Sequence, residues 1–167
     1  KYDNSNSTTA TWRIGKWSDG RQLAGIIKFD MSSFSADTPV RGAKLFGYCF
    51  STTTFEHFEV DIRSVTTDPE TQSDGQVLIS NLRASTDILA NSTDIAYREA
   101  YFGQPLAPVY AQSWLEPAID SGTGCASIGA IDDTWSVGSN YAQFSGYDNA
   151  TVAQRPILEV YWLNKNY

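Results

Sequence analysis

The chain has 167 residues, enough for one domain with its own core, and charged side chains make up only 19% of it. A formal charge of −7 sets it against a phosphate backbone and an acidic membrane surface, and no run is apolar for long enough to span a bilayer as a helix. Ser, Thr, Asn and Gln carry the polar surface instead, while aromatics reach 13%, with 5 Trp and 9 Tyr, a composition that favours strands.

Residues 1–11 are polar and low in complexity, and read as an arm or edge strand ahead of a single β-sandwich domain over residues 12–167. Thr11 to Lys16 alternates briefly, and Ser18-Asp19-Gly20 marks a turn. Leu23 to Asp30 reads as a strand, and so does Val40 to Phe50. In the latter, Ala43, Leu45 and Cys49 share one face and Phe46, Tyr48 and Phe50 the other. Such a strand is either covered on both sides or exposes a strip of rings. Phe58 to Val65 alternates most cleanly, with Phe58, Val60 and Ile62 opposed to His57, Glu59, Asp61 and Arg63.

Gln76 to Leu82 predicts a short strand, and Ser85 to Asn91 one or two helical turns. Ile95 to Tyr110 fits strand and loop equally. Ser113 to Asp120 holds the spacing of a capping box, but Pro117 argues against a helix there. Ser121 to Gly129 reads as a Gly-rich loop, and Tyr141 to Ser145 and Ile157 to Leu163 as closing strands. Many short strands between turn signals predict an all-β antiparallel sandwich or jelly roll with at most one or two short helical turns.

Cys49 and Cys125 stand far apart in no metal-binding spacing, which permits one disulfide or two buried thiols. The sequons at Asn6, Asn91 and Asn149 are candidate N-glycosylation sites in a host that performs it. With His57 as the only histidine, a Ser-His-Asp set has one place to centre and a His-based zinc site has too few ligands. Glu59 and Asp61 share a strand face and Asp132-Asp133 are adjacent, which keeps a glycoside-active enzyme as a remote alternative. No cofactor is expected; calcium, held by Asp19, Asp132 and Asp133, is the one structural ion the loops suit. The binding signal lies in the rings, with Trp12, Trp17, Tyr48, Trp114 and Trp135 as candidate platforms against the plainer reading that most fill the core.

The segment from Trp12 to Cys49 resembles the opening of the DNRLRE domains, also described as disaggregatase-related. The parts that carry the resemblance are Ile14-Gly15, Arg21, Lys28-Phe29-Asp30-Met31-Ser32 and Ala43-Lys44-Leu45. The tail Arg155 to Trp162, RPILEVYW, is similar to that family's closing Arg-Pro-x-Leu-x-Val strand. The family's Trp-x-Glu element is echoed by Trp114-Leu115-Glu116, without the Thr-Trp-Asn that usually follows it. The resemblance implies a jelly-roll-like module of secreted and surface proteins, usually non-catalytic and in some relatives polysaccharide-binding.

The chain opens at Lys1 and reads as a mature or excised product, compatible with secretion. The expected function is a non-catalytic extracellular or surface module for carbohydrate binding or adhesion. Its partner would be a polysaccharide or surface glycan, with no nucleic acid and no membrane insertion. The alternative is a structural subunit of an extracellular filament, or a decoration protein on a virion, whose partners are copies of itself.

Overall fold

The computed structural model describes residues 11–16, 22–52, 59–65, 68, 70–71, 74–84, 88–94, 100–129 and 140–163. Along the chain run β1 (Thr11–Lys16), β2 (Gln22–Leu23), β3 (Gly25–Asp30), β4 (Val40–Thr52), β5 (Glu59–Val65), α1 (Gly75–Ala84), β6 (Ile88–Asp94), β7 (Ala100–Pro105), α2 (Pro108–Ser121), β8 (Thr123–Gly129), β9 (Asn140–Ser145) and β10 (Ile157–Trp162). They form two antiparallel sheets, one in the order β10-β4-β9-β1-β2 with β7 also on β4, the other β3-β8-β5-β6. The architecture is that of an all-β sandwich-like fold.

β4 organises the first sheet. β7 and β10 both pair with its residues Lys44 to Phe46, so they occupy opposite edges. Cys49 pairs with both Ala100 of β7 and Phe144 of β9, which puts β9 on the β10 side. One edge of β4 therefore carries β10 and then β9 in line, and the other carries β7.

The core lies between the sheets. β4 contributes Ala43, Leu45 and Cys49, β1 contributes Ile14, β9 contributes Ala142 and Phe144, and the second sheet brings Ile62 and Leu89. Phe102 meets Phe144 edge to face, with ring centres 5.9 Å apart. The alternation expected around Ile62 is present, since Ile62 is fully buried while Asp61 and Arg63 are partly exposed and paired at 3.0 Å.

Helix content exceeds the one or two turns expected. α2 is 14 residues long and runs through Pro117. Ala111, Trp114, Leu115, Ala118 and Ile119 recur at helical spacing and are all buried, so one continuous apolar stripe outweighs the single lost backbone bond. Pro108 starts the helix, where a missing N–H costs nothing, and Gly122 ends it in the left-handed region at φ 78°. Glu116 ties the helix to the first sheet by accepting a bond from the Val40 N–H at 3.2 Å.

Three further assignments change. Gln76 to Leu82 lies in α1, not a strand; Leu78 is buried and donates its N–H to the Asp74 carbonyl at the helix start. Residues 88–91 belong to strand β6, which pairs with β5, so pairing overrides the local helical signal there. The expected Gly-rich loop is largely strand β8. Its Gly124 is needed for closeness rather than for turning, because a Cβ there would stand 3.0 Å from Ala118 Cβ of α2. The arm expected over residues 1–11 overlaps the fold by one residue, as Thr11 pairs with Ser145 in β1; residues 1–10 lie outside the described residues.

Candidate binding face

The outward side of β4 carries Lys44, Phe46, Tyr48 and Phe50, the residues that alternate with its core set. β-pairing then decides what joins them. Register places Tyr101 opposite Tyr48 and Gly103 opposite Phe46 on the β7 side, and Ile157 opposite Phe46 on the β10 side. The Tyr48 ring lies 4.8 Å from Tyr101 and 5.3 Å from Phe50, both near edge-to-face geometry. Tyr101 is 63% exposed at the front of this group, while the three β4 rings are half-buried.

Gly103 makes room for the neighbouring side chains. A Cβ at that position would come within 2.8 Å of the Phe46 ring and 2.9 Å of Lys44 Cε, so both side chains lie across the glycine. Lys44 Nζ sits 4.7 Å from the Phe46 ring centre, a cation–π contact that keeps the ammonium on the face. Beyond Ile157, the Tyr161 hydroxyl donates to Glu159 Oε2 at 2.8 Å, and that carboxylate raises the phenol above its ordinary range. Together these groups form an apolar band with phenol hydroxyls, the Lys44 ammonium and the Glu159 carboxylate.

The second sheet carries charge at its surface. Lys28 Nζ pairs with Asp68 at 2.9 Å and with Glu70 at 2.6 Å. Bonds to those carboxylates push the lysine up, and the same lysine holds Asp68 below the usual carboxylate range. This is a solvated ion cluster that joins β3 to the chain after β5.

Of the candidate platforms, Tyr48 alone is seen on this face. Trp114 is a correction: it is 8% exposed and belongs to the buried stripe of α2, because the helix turns it toward the core. Trp12 stands on β1, its Cα opposite that of Phe144, and its side chain lies outside the described residues. Trp17 and Trp135 lie outside them altogether, as do Asp19, Asp132 and Asp133. Among the described residues no group of three His, Cys, Asp or Glu is placed to hold a metal ion. Cys49 is buried in the core of the first sheet, and Cys125 is on β8 of the second with its side chain outside the described residues. His57 falls outside them too, while Asp61 is engaged by Arg63.

The sequons are placed unevenly. Asn6 lies outside the described residues, and Asn91 is on β6 with an undescribed side chain. Asn149 is 6% exposed; its Nδ2 donates to Ser145 Oγ at 3.2 Å and its Oδ1 accepts from the Thr151 N–H at 2.7 Å. Its carbonyl also accepts from Arg155 Nε at 2.9 Å. A glycan on that nitrogen would displace the packing around a bonded amide, so the geometry suits a loop clamp instead. Asn149→Ala is expected to cost about 1–3 kcal/mol, read as a lower urea midpoint, because it strands the Thr151 donor.

Tyr101, Gly103 and Ile157 are the members of the face that sequence reasoning did not single out as site residues. The grouping of Phe46, Tyr48 and Phe50 is visible in the period of β4, but its pairing partners are not. No protein-family model matches the chain, and no curated protein matches it in sequence. The likeness to the DNRLRE domains thus rests on the quoted segments alone.

Proposed function

We propose that this chain is a non-catalytic, extracellular or surface-exposed module that binds a neutral polysaccharide across the outward face of β4 and β7. The observation that carries the reading is the exposed Tyr101 ring backed by Tyr48 and Phe50. Rings held by their neighbours lose little freedom when a sugar stacks on them, and the phenol hydroxyls and Lys44 supply polar contacts at the margin. The net charge of −7 disfavours a polyanionic glycan, which is why a neutral one is proposed. Four of the described acids fit structural work: Asp61 holds Arg63, Asp68 and Glu70 hold Lys28, and Glu116 accepts from the start of β4.

The test is binding to a panel of neutral and acidic polysaccharides, followed by Tyr101→Ala and Tyr48→Ala. Tyr101→Ala is expected to weaken the best ligand by about 5–30-fold with little change in stability, since the ring is exposed. Retained affinity in both variants, or a preference for acidic polymers, would remove the face from the reading. A second reading, a structural subunit that associates with copies of itself, is favoured by the apolar exposure along β10, where Ile157, Tyr161 and Trp162 are open to solvent.

A further inference from the structure

We infer that β10 is a self-pairing edge: two copies of the chain join β10 to β10, antiparallel, about a two-fold axis through Val160, so that the two first sheets become one. β10 ends the strand order of its sheet, and among the described residues no strand pairs with its outer side. Natural edges are usually blunted by charge, proline or a bulge. This one reads Ile157-Leu158-Glu159-Val160-Tyr161-Trp162, with one charge and no proline. The register shift near Tyr161 leaves the extra residue, Arg41, on β4, so β10 itself is regular. Ile157 is 51% exposed, Trp162 55% and Leu163 49%.

The register follows from two observations. The Leu163 N–H donates inward to the Pro39 carbonyl, so in a regular strand the backbone groups of Leu158, Val160 and Trp162 face outward. A symmetric pair centred on Val160 therefore exchanges hydrogen bonds at Val160 with Val160 and at Leu158 with Trp162. The same register sets Ile157 against Leu163 and Glu159 against Tyr161. Centring on Glu159 would instead oppose two like charges and would meet at a position without outward backbone groups. Sequence and backbone thus agree on one self-complementary arrangement, which is what an isologous contact requires.

The competing occupant is residues 1–10 of the same chain, which precede Thr11 of β1 and lie outside the described residues. The run Lys-Tyr-Asp-Asn-Ser-Asn-Ser-Thr-Thr-Ala has no apolar alternation to match Ile157 and Tyr161, whereas a second β10 does. Antiparallel pairing about an axis normal to the sheet also keeps both outward faces on the same side. The Tyr101 bands of two copies would then lie on one surface, although the contact itself does not depend on what that surface binds.

Sedimentation velocity over a concentration series tests this. The chain is expected to dimerise reversibly, and Tyr161→Glu, which opposes the introduced carboxylate to Glu159 twice per dimer, to weaken dimerisation by about 10–100-fold. Adding Glu159→Lys to Tyr161→Glu restores an opposite-charge pair and is expected to recover dimerisation to within about threefold of the parent. This recovery separates a register effect from a folding defect. A parent chain that is monomeric at about 1 mM overturns the inference, as does a Tyr161→Glu dimer of unchanged affinity. So does a chain that dimerises only after residues 1–10 are removed, because its own arm then holds the edge. A double variant that folds and stays monomeric overturns the proposed register.

Discussion

Phe144→Ala is expected to destabilise the fold by about 3–5 kcal/mol, the range for removing a fully buried ring from a core that only partly closes around the gap. Phe144 is 1% exposed on β9, with Phe102 of β7 edge-on at 5.9 Å and Cys49 of β4 as its pairing partner. The loss thus falls where the two edges of β4 meet in the core. A domain of this size has about 5–15 kcal/mol of stability in total, so the variant should lose a large share of it. Urea unfolding followed by tryptophan fluorescence reads the effect as a lower midpoint at similar slope. A shift below about 1 kcal/mol would mean that the site collapses freely and that Phe144 is not the keystone its burial indicates.

Leu115→Ala comes second, at about 2–5 kcal/mol. Leu115 is fully buried at the middle of the α2 stripe, flanked by Trp114 and Ala118. Removing it takes away the contact that offsets the backbone bond lost at Pro117, so helix and sheet should loosen together. Hydrogen exchange gives the sharper readout. Amides of α2 and of β8, which packs against it at Gly124, should lose protection, while those of β1 and β2 should change less. If α2 alone loses protection, the helix is an appendage to the sandwich and not part of its core.

The sandwich was legible because strand periodicity is local. In β4, the split between Ala43, Leu45 and Cys49 on one side and Phe46, Tyr48 and Phe50 on the other needs no knowledge of distant residues. α2 is hidden in the sequence for an equally local reason. The spacing of Ala111, Trp114, Leu115, Ala118 and Ile119 is helical, but Pro117 carries the local signal of a helix breaker. Burial of the stripe decided the matter, and burial is a tertiary quantity. Pro117 itself lies on the exposed side, where its ring displaces only solvent. Gln76 to Leu82 and residues 88–91 are ambiguous between helix and strand because short apolar runs carry little periodic signal, and for β6 the partner strand makes the choice. The candidate face was half visible for the same reason: three rings lie on one strand, but Tyr101 and Gly103 reach them only through pairing.

The loop between β9 and β10 acts as a spacer whose length sets a parity. Both strands lie along one edge of β4, and the loop joining them is clamped by the bonds that Asn149 makes with Ser145, Thr151 and Arg155. Side chains in a strand change sides at every residue, so a slip of one position would turn Leu158 and Val160 to solvent and Ile157, Glu159 and Tyr161 to the core. Insertions at the loop's crown can therefore vary, whereas the count of residues between clamp and strand is constrained as tightly as a core volume. A change of one there, without touching any ring, would exchange the apolar outer surface of β10 for its lining.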